Sequence, residues 1–190
     1  MSVKIPETLG RLVVMTAFVV ICSVASYGQG LGSIEVTGHL GIVDGIGSHG
    51  SFGGSVGAPV TERLAVFGDL SYIPMGGTSV TILGSTMRTS ARAFTFNGNL
   101  QYQLKPLRAV VPYAGAGLGF LRSSFDTSSN GPGLGSFNAE GSSMDVYFNF
   151  GGGFRYYVKE RWGFKPEFMI FAGSNTYVRF SGGIFYQFGE

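Results

Sequence analysis

Residues Thr176 to Phe188 read TYVRFSGGIFYQF, and the parity of this stretch decides how the chain folds. Val178, Phe180, Ile184, Tyr186 and Phe188 fall on one parity, with Gly182 among them. Arg179, Ser181, Gly183 and Gln187 fall on the other, joined by Tyr177 and Phe185. Successive side chains of a strand point to opposite faces, so this is a strand with one apolar face and one mostly small or polar face.

The same alternation recurs upstream. Strands are expected over 34–43, 51–58, 64–73, 90–103, 110–121, 144–158 and 163–172, which with 176–188 makes eight. The fourth shows the pattern most clearly: Phe94, Phe96, Leu100 and Tyr102 oppose Thr95, Asn97, Asn99, Gln101 and Gln103. In the sixth, Val146, Phe148, Phe150, Phe154, Tyr156 and Val158 oppose Asp145, Asn149 and Arg155. Short charged turns (59–63, 105–108, 159–162) alternate with longer polar connections, of which 74–89 and 122–143 are the longest. No helical periodicity remains after residue 30, and 190 residues allow one domain of ordinary size.

The amino terminus breaks the pattern. Lys4 and Arg11 precede an apolar run of 13 residues, 12–24, followed by small residues at Ala25, Ser26 and Gly28. A basic start, a short apolar middle and a small-residue exit read as a cleavable secretory signal peptide over residues 1–28, cut between Ala25 and Gly30. The run is short for a membrane helix, which needs about 20 apolar residues. Cys22 leaves with the signal, so the mature chain has neither disulfide nor thiol nucleophile. The remaining 11 basic and 10 acidic residues form no basic patch, so nucleic acid is not an expected partner.

Alternation alone does not say whether the apolar face points inward, around a ligand, or outward into lipid. Size decides. The apolar parity carries about two dozen bulky side chains, whereas an eight-stranded barrel has room inside for little more than its own small and polar residues. The opposite parity supplies these, with Gly115, Gly117, Gly119, Gly151 and Gly153 beside Asn, Ser and a few charges. Tyr72, Tyr102, Tyr156, Trp162 and Phe188 lie near strand ends, as interfacial aromatics do. The expected fold is all-β: an eight-stranded antiparallel transmembrane β-barrel over residues 33–188, closed because an open edge in hydrocarbon would leave backbone groups unpaired.

The segments ERLAVFGDLSY (62–72), PYAGAGLGF (112–120) and FNFGGGFRYYV (148–158) resemble the outer-membrane β-barrel domain family, the OmpA/OmpX-like small eight-stranded barrels. The chain ending is similar to that family's C-terminal insertion signal: polar Ser181, Gly183 two positions on, then Tyr186 and Phe188, here followed by Gly189 and Glu190. The resemblance implies the bacterial outer membrane, contact with its lipid, delivery by the barrel-assembly machinery and a monomeric state. No peptidoglycan-binding domain is expected after Phe188.

The inward parity collects Glu35, His39, Asp69, Arg155, Lys165, Glu167 and Arg179. In a narrow lumen such charges must pair, so a salt-bridged network that fills the barrel is expected. A narrow ion or small-solute pore and a secreted soluble ligand-binding barrel are the alternatives. No catalytic site, metal site or cofactor is expected. His39 and His49 are isolated, and zinc sites want three or four ligands. Ser174-Asn175 is similar to part of the His-x-Ser-Asn motif of lipid A deacylases, but Ala172 stands where the base would be. Gly151 to Gly153 lie mid-strand with no helix following, which excludes a phosphate loop. Long loops over 75–87 and 123–143 are the expected carriers of specific function, in surface adhesion or envelope integrity, with no ligand named by their sequence.

Overall fold

The computed structural model describes residues 33–45, 47–82, 85–130 and 137–189. The expected signal peptide and Cys22 lie outside them. Eight strands form one closed antiparallel barrel in chain order: β1 (Ile34–Asp44), β2 (His49–Pro59), β3 (Leu64–Ile82), β4 (Ser85–Gln103), β5 (Val110–Asn130), β6 (Phe137–Lys159), β7 (Trp162–Ala172) and β8 (Thr176–Phe188). The seam joins β1 to β8, from Ile34↔Phe188 to Asp44↔Val178, so no strand edge is left open within the barrel wall.

Parity sets the two faces as the sequence implies. Leu40, Ile42, Leu118, Phe180 and Ile184 are more than half exposed on the outside, and Phe148, Phe154, Phe164 and Phe168 are a little under half exposed on the same face. Phe52, Tyr72 and Phe94 pack ring against ring along the outer wall, at 5.2 and 4.8 Å between centroids. Such a surface is stable only in hydrocarbon.

Two expectations are corrected. Residues 74–89 and 122–143 are not mainly loops. β3 runs on to Ile82, β4 starts at Ser85, β5 reaches Asn130 and β6 begins at Phe137. These extensions pair as ladders, from Gly77↔Ser90 to Ile82↔Ser85 and from Ser123↔Ser143 to Ser129↔Phe137. Beyond the membrane both faces meet water, so no alternation marks the strand. β2 likewise begins at His49, which pairs with Val43, and His49 is therefore a strand residue and not a loop one. A register shift between Pro74 and Gly77, with Gly76 at φ +79°, marks where β3 leaves the barrel wall.

Glycines inside the wall are set by space. A side chain on inward Gly151 would meet the Phe168 carbonyl and, at 2.8 Å, the Met169 sulfur, whereas a side chain on lipid-facing Gly182 would meet no atom within 4 Å. Gly151→Val is expected to lower the urea midpoint of the refolded barrel, by about 1–3 kcal/mol of overpacking. Gly182→Ala should leave the midpoint unchanged or raise it slightly.

Candidate functional site

The barrel interior holds two linked polar clusters and an apolar plug. At the end of the short turns, Glu35 on β1 accepts from Arg155 Nε of β6 at 2.6 Å and from Lys165 Nζ of β7 at 2.8 Å. Gln187 Nε2 of β8 donates to the same carboxylate at 3.3 Å, and Arg155 Nη2 donates to Gln101 Oε1 at 2.7 Å. Two aromatic faces complete the cation site. The Arg155 guanidinium lies 4.7 Å from the Tyr113 ring centre and Lys165 Nζ lies 4.2 Å from that of Phe67. Arg155 Nη1 has no hydrogen-bond partner, and the face of Tyr113 supplies attraction for a cation that burial has stripped of water.

Nearer the outer end, Asp69 on β3 accepts from Arg179 Nη1 of β8 at 3.1 Å, from Asn97 Nδ2 of β4 at 2.9 Å and from Ser71 Oγ at 3.1 Å. His39 Nε2 sits 3.5 Å from Asp69 Oδ2 and 3.1 Å from Ser71 Oγ. Glu167 joins the clusters: its Oε1 accepts from Arg179 Nη2 at 3.2 Å and its Oε2 from the Tyr113 hydroxyl at 2.8 Å. All seven inward residues named from sequence thus belong to one connected set, with three carboxylates facing two arginines and one lysine. Missed were the neutral members that carry the links, Tyr113, Asn97, Gln101, Ser71 and Tyr147. Their inward parity was visible; their partners were not.

Above this network the lumen is apolar, which corrects the expectation of a wholly polar filling. Val43, Ile73, Ala93, Leu121, Tyr147, Met169, Phe171 and Tyr177 form one buried cluster. Phe171 and Tyr177 stack at 4.5 Å with a 7° interplanar angle, and Tyr147 meets Phe171 edge-on at 5.3 Å. The Tyr147 hydroxyl donates to Asn97 Oδ1 at 2.6 Å and the Arg179 guanidinium lies 5.4 Å from the Phe171 ring centre, so plug and network are one packed unit. Between the clusters a cavity of about 20 Å³, bordered by Thr37, His39, Asn99, Lys165 and Glu167, has room for about one water. A vestibule of about 210 Å³ opens at the end of the short turns and is bordered by Glu35, Glu62, Gln103, Arg155 and Gln187. A continuous path would have to part ion pairs and aromatic rings together.

Other sequence candidates lie elsewhere. Ser174 Oγ donates to Asp145 Oδ1 at 3.3 Å in the connection after β7, and Ala172 pairs with Phe148 and Thr176. In β8, Ser181 is buried inward, while Tyr186 and Phe188 face outward with ring centres 4.6 Å apart.

Removing Arg179 leaves Asp69 and Glu167 without their shared cation. Arg179→Met is expected to cost about 3–5 kcal/mol in urea unfolding of the refolded barrel. Adding Asp69→Asn should return part of that loss. Strict additivity of the two substitutions would mean the pair is not coupled.

A model of the outer membrane protein beta-barrel domain matches residues 14–186. A search of curated proteins finds no match. Among solved structures, the N-terminal β-barrel domain of Pseudomonas aeruginosa OprF is similar at TM-score 0.54 and 17% identity, over 83% of this chain and 98% of that one. Neisserial surface protein A is similar at TM-score 0.59 and 16% identity, over 82% and 96%. Ail, the attachment invasion locus protein of Yersinia pestis, in complex with the heparin analogue sucrose octasulfate, is similar at TM-score 0.56 and 13% identity, over 82% and 97%. Identities this low speak for the fold alone. With the lipid-facing wall and the family match together, the secreted soluble barrel is excluded. The chain belongs to the outer membrane β-barrel domain family and is an integral protein of the bacterial outer membrane.

Proposed function

We propose that this protein is a non-enzymatic, non-conducting monomer that holds a recognition sheet above the outer membrane and adds to envelope integrity through its barrel. The observation that carries the reading is the shared extension of β3, β4, β5 and β6. β2 pairs with β3 only as far as Phe52↔Tyr72, and β7 with β6 only as far as Ala172↔Phe148, while the four middle strands continue. In outer-membrane barrels the short turns face the periplasm and the long connections face outside, so this four-stranded sheet stands at the cell surface.

Backbone ladders and cross-strand side-chain contacts tie the sheet together. Thr81 and Thr86 hydroxyls lie 3.1 Å apart, Thr89 and Thr127 hydroxyls 3.3 Å apart, and Arg92 pairs with Asp126 at 3.6 Å. Its outer strands, β3 beyond Tyr72 and β6 before Phe148, carry no register partner on their free sides among the described residues. Free strand edges are templates for strand addition by another chain. The similarity to an attachment protein of Yersinia pestis agrees with a surface role. The filled lumen supports a barrel that seals and does not conduct, and the two outward aromatics ending β8 support its reading by the assembly machinery.

The test uses a strain lacking the protein, complemented with the full chain or with one whose β3–β4 and β5–β6 extensions are replaced by short turns. Both chains are expected to restore resistance to detergent, and only the full chain to restore attachment to host-cell monolayers. Equal attachment by the trimmed chain would overturn the recognition role.

A further inference from the structure

The β4–β5 turn has an unusual build. Leu107 and Val110 exchange both backbone hydrogen bonds, at 2.8 and 3.0 Å, leaving Arg108 and Ala109 as a two-residue turn. Arg108 has φ +56°, the one positive value among the described non-glycine residues. That position favours glycine, because a Cβ crowds the backbone there. A chain with 32 glycines places an arginine at it.

The flanking residues are equally out of place for a water-exposed turn. Leu104 is 48% and Leu107 66% exposed. Both continue the lipid-facing stripe: Leu104 shares parity with outward Leu100 and Tyr102, and Leu107 pairs with Val110, which pairs with outward Tyr156. Lys105 and Arg108 are exposed between and beside these leucines. Two apolar side chains aimed at the membrane and two cations just past them match the boundary between acyl chains and phosphates. Residues 104–109 hold no acidic side chain, whereas the other two short turns carry Glu62 and Glu160 beside their own cations.

We propose that the β4–β5 turn binds the headgroup of an anionic glycerophospholipid in the periplasmic leaflet, with Lys105 and Arg108 on the phosphate and Leu104 and Leu107 in the acyl boundary. The strained backbone at Arg108 keeps its guanidinium at the tip, at phosphate depth. Glycine there would relax the turn and lose the contact.

Native mass spectrometry of the refolded protein, released from micelles containing phosphatidylglycerol or phosphatidylcholine, tests this. The wild-type protein is expected to retain phosphatidylglycerol in preference to phosphatidylcholine. Lys105→Gln and Arg108→Gly should each lower phosphatidylglycerol occupancy about fivefold. Arg108→Gly should fold and melt no lower than wild type, which separates lipid loss from damage to the barrel. Lys159→Gln, on a turn without the leucines, should leave occupancy nearly unchanged, and excess inorganic phosphate should not displace the lipid. Equal retention of both lipids by the wild-type protein, undiminished occupancy in both Lys105→Gln and Arg108→Gly, an equal loss in Lys159→Gln, or displacement by inorganic phosphate would each overturn the assignment.

Discussion

Three carboxylates, two arginines and a lysine share a lumen scarcely wider than their side chains and pair off: Glu35 with Arg155 and Lys165, Asp69 and Glu167 with Arg179. Everything else in the barrel is arranged around that requirement. The partners come from β1, β3, β6, β7 and β8; the pairs of Glu35 with Arg155 and Lys165 and of Asp69 with Arg179 join strands that are not neighbours in the wall, while Glu167 and Arg179 tie the adjacent β7 and β8. A one-residue slip of any of these strands would move its charge into hydrocarbon, where a Lys or Arg at mid-depth costs about 2–4 kcal/mol. Pairing inside and apolarity outside therefore enforce the same register. Net stabilisation by the ions themselves need not be large, since desolvation opposes it; their effect is that alternatives are far worse.

The filling is layered. Cations lie against the faces of Phe67, Tyr113 and Phe171, which lets a barrel built of large aromatics hold charge without bulk water. Toward the outside the polar cluster gives way to stacked Phe171 and Tyr177. Such a floor separates the interior from the surface sheet, so the sheet can vary without disturbing the register below. On the proposed reading, the barrel is an anchor and seal, and recognition resides in strands that stand clear of the membrane.

Much of this was legible in the residues, for a physical reason. A membrane strand meets lipid on one side and a polar lumen on the other, and that contrast wrote Phe94, Phe96, Leu100 and Tyr102 opposite Asn97, Asn99 and Gln101. Where the contrast ends, legibility ends: in MGGTSVTI of β3 or RSSFDTSSN of β5 both faces are wet, and a strand looks like a loop. Large inward side chains such as Phe67, Tyr147 and Phe171 were hidden because the narrow lumen was expected to take small residues. Phe67 fits because it lies over Gly57, and Tyr147 because it lies over Gly119; a side chain at either glycine would meet those rings. Which carboxylate meets which cation depends on strand stagger, and parity does not contain it. The periplasmic turn at Arg108 was readable as charged but not as strained, since φ is a property of the closed hairpin.

Single-channel recording of the refolded barrel, residues 33–190, in a planar bilayer tests the closed lumen most directly. Folding is confirmed beforehand by its mobility on unboiled gels. The account requires a folded protein that inserts and stays electrically silent. Steady conductance that shifts when Arg155 or Lys165 is neutralised would contradict it and establish a pore.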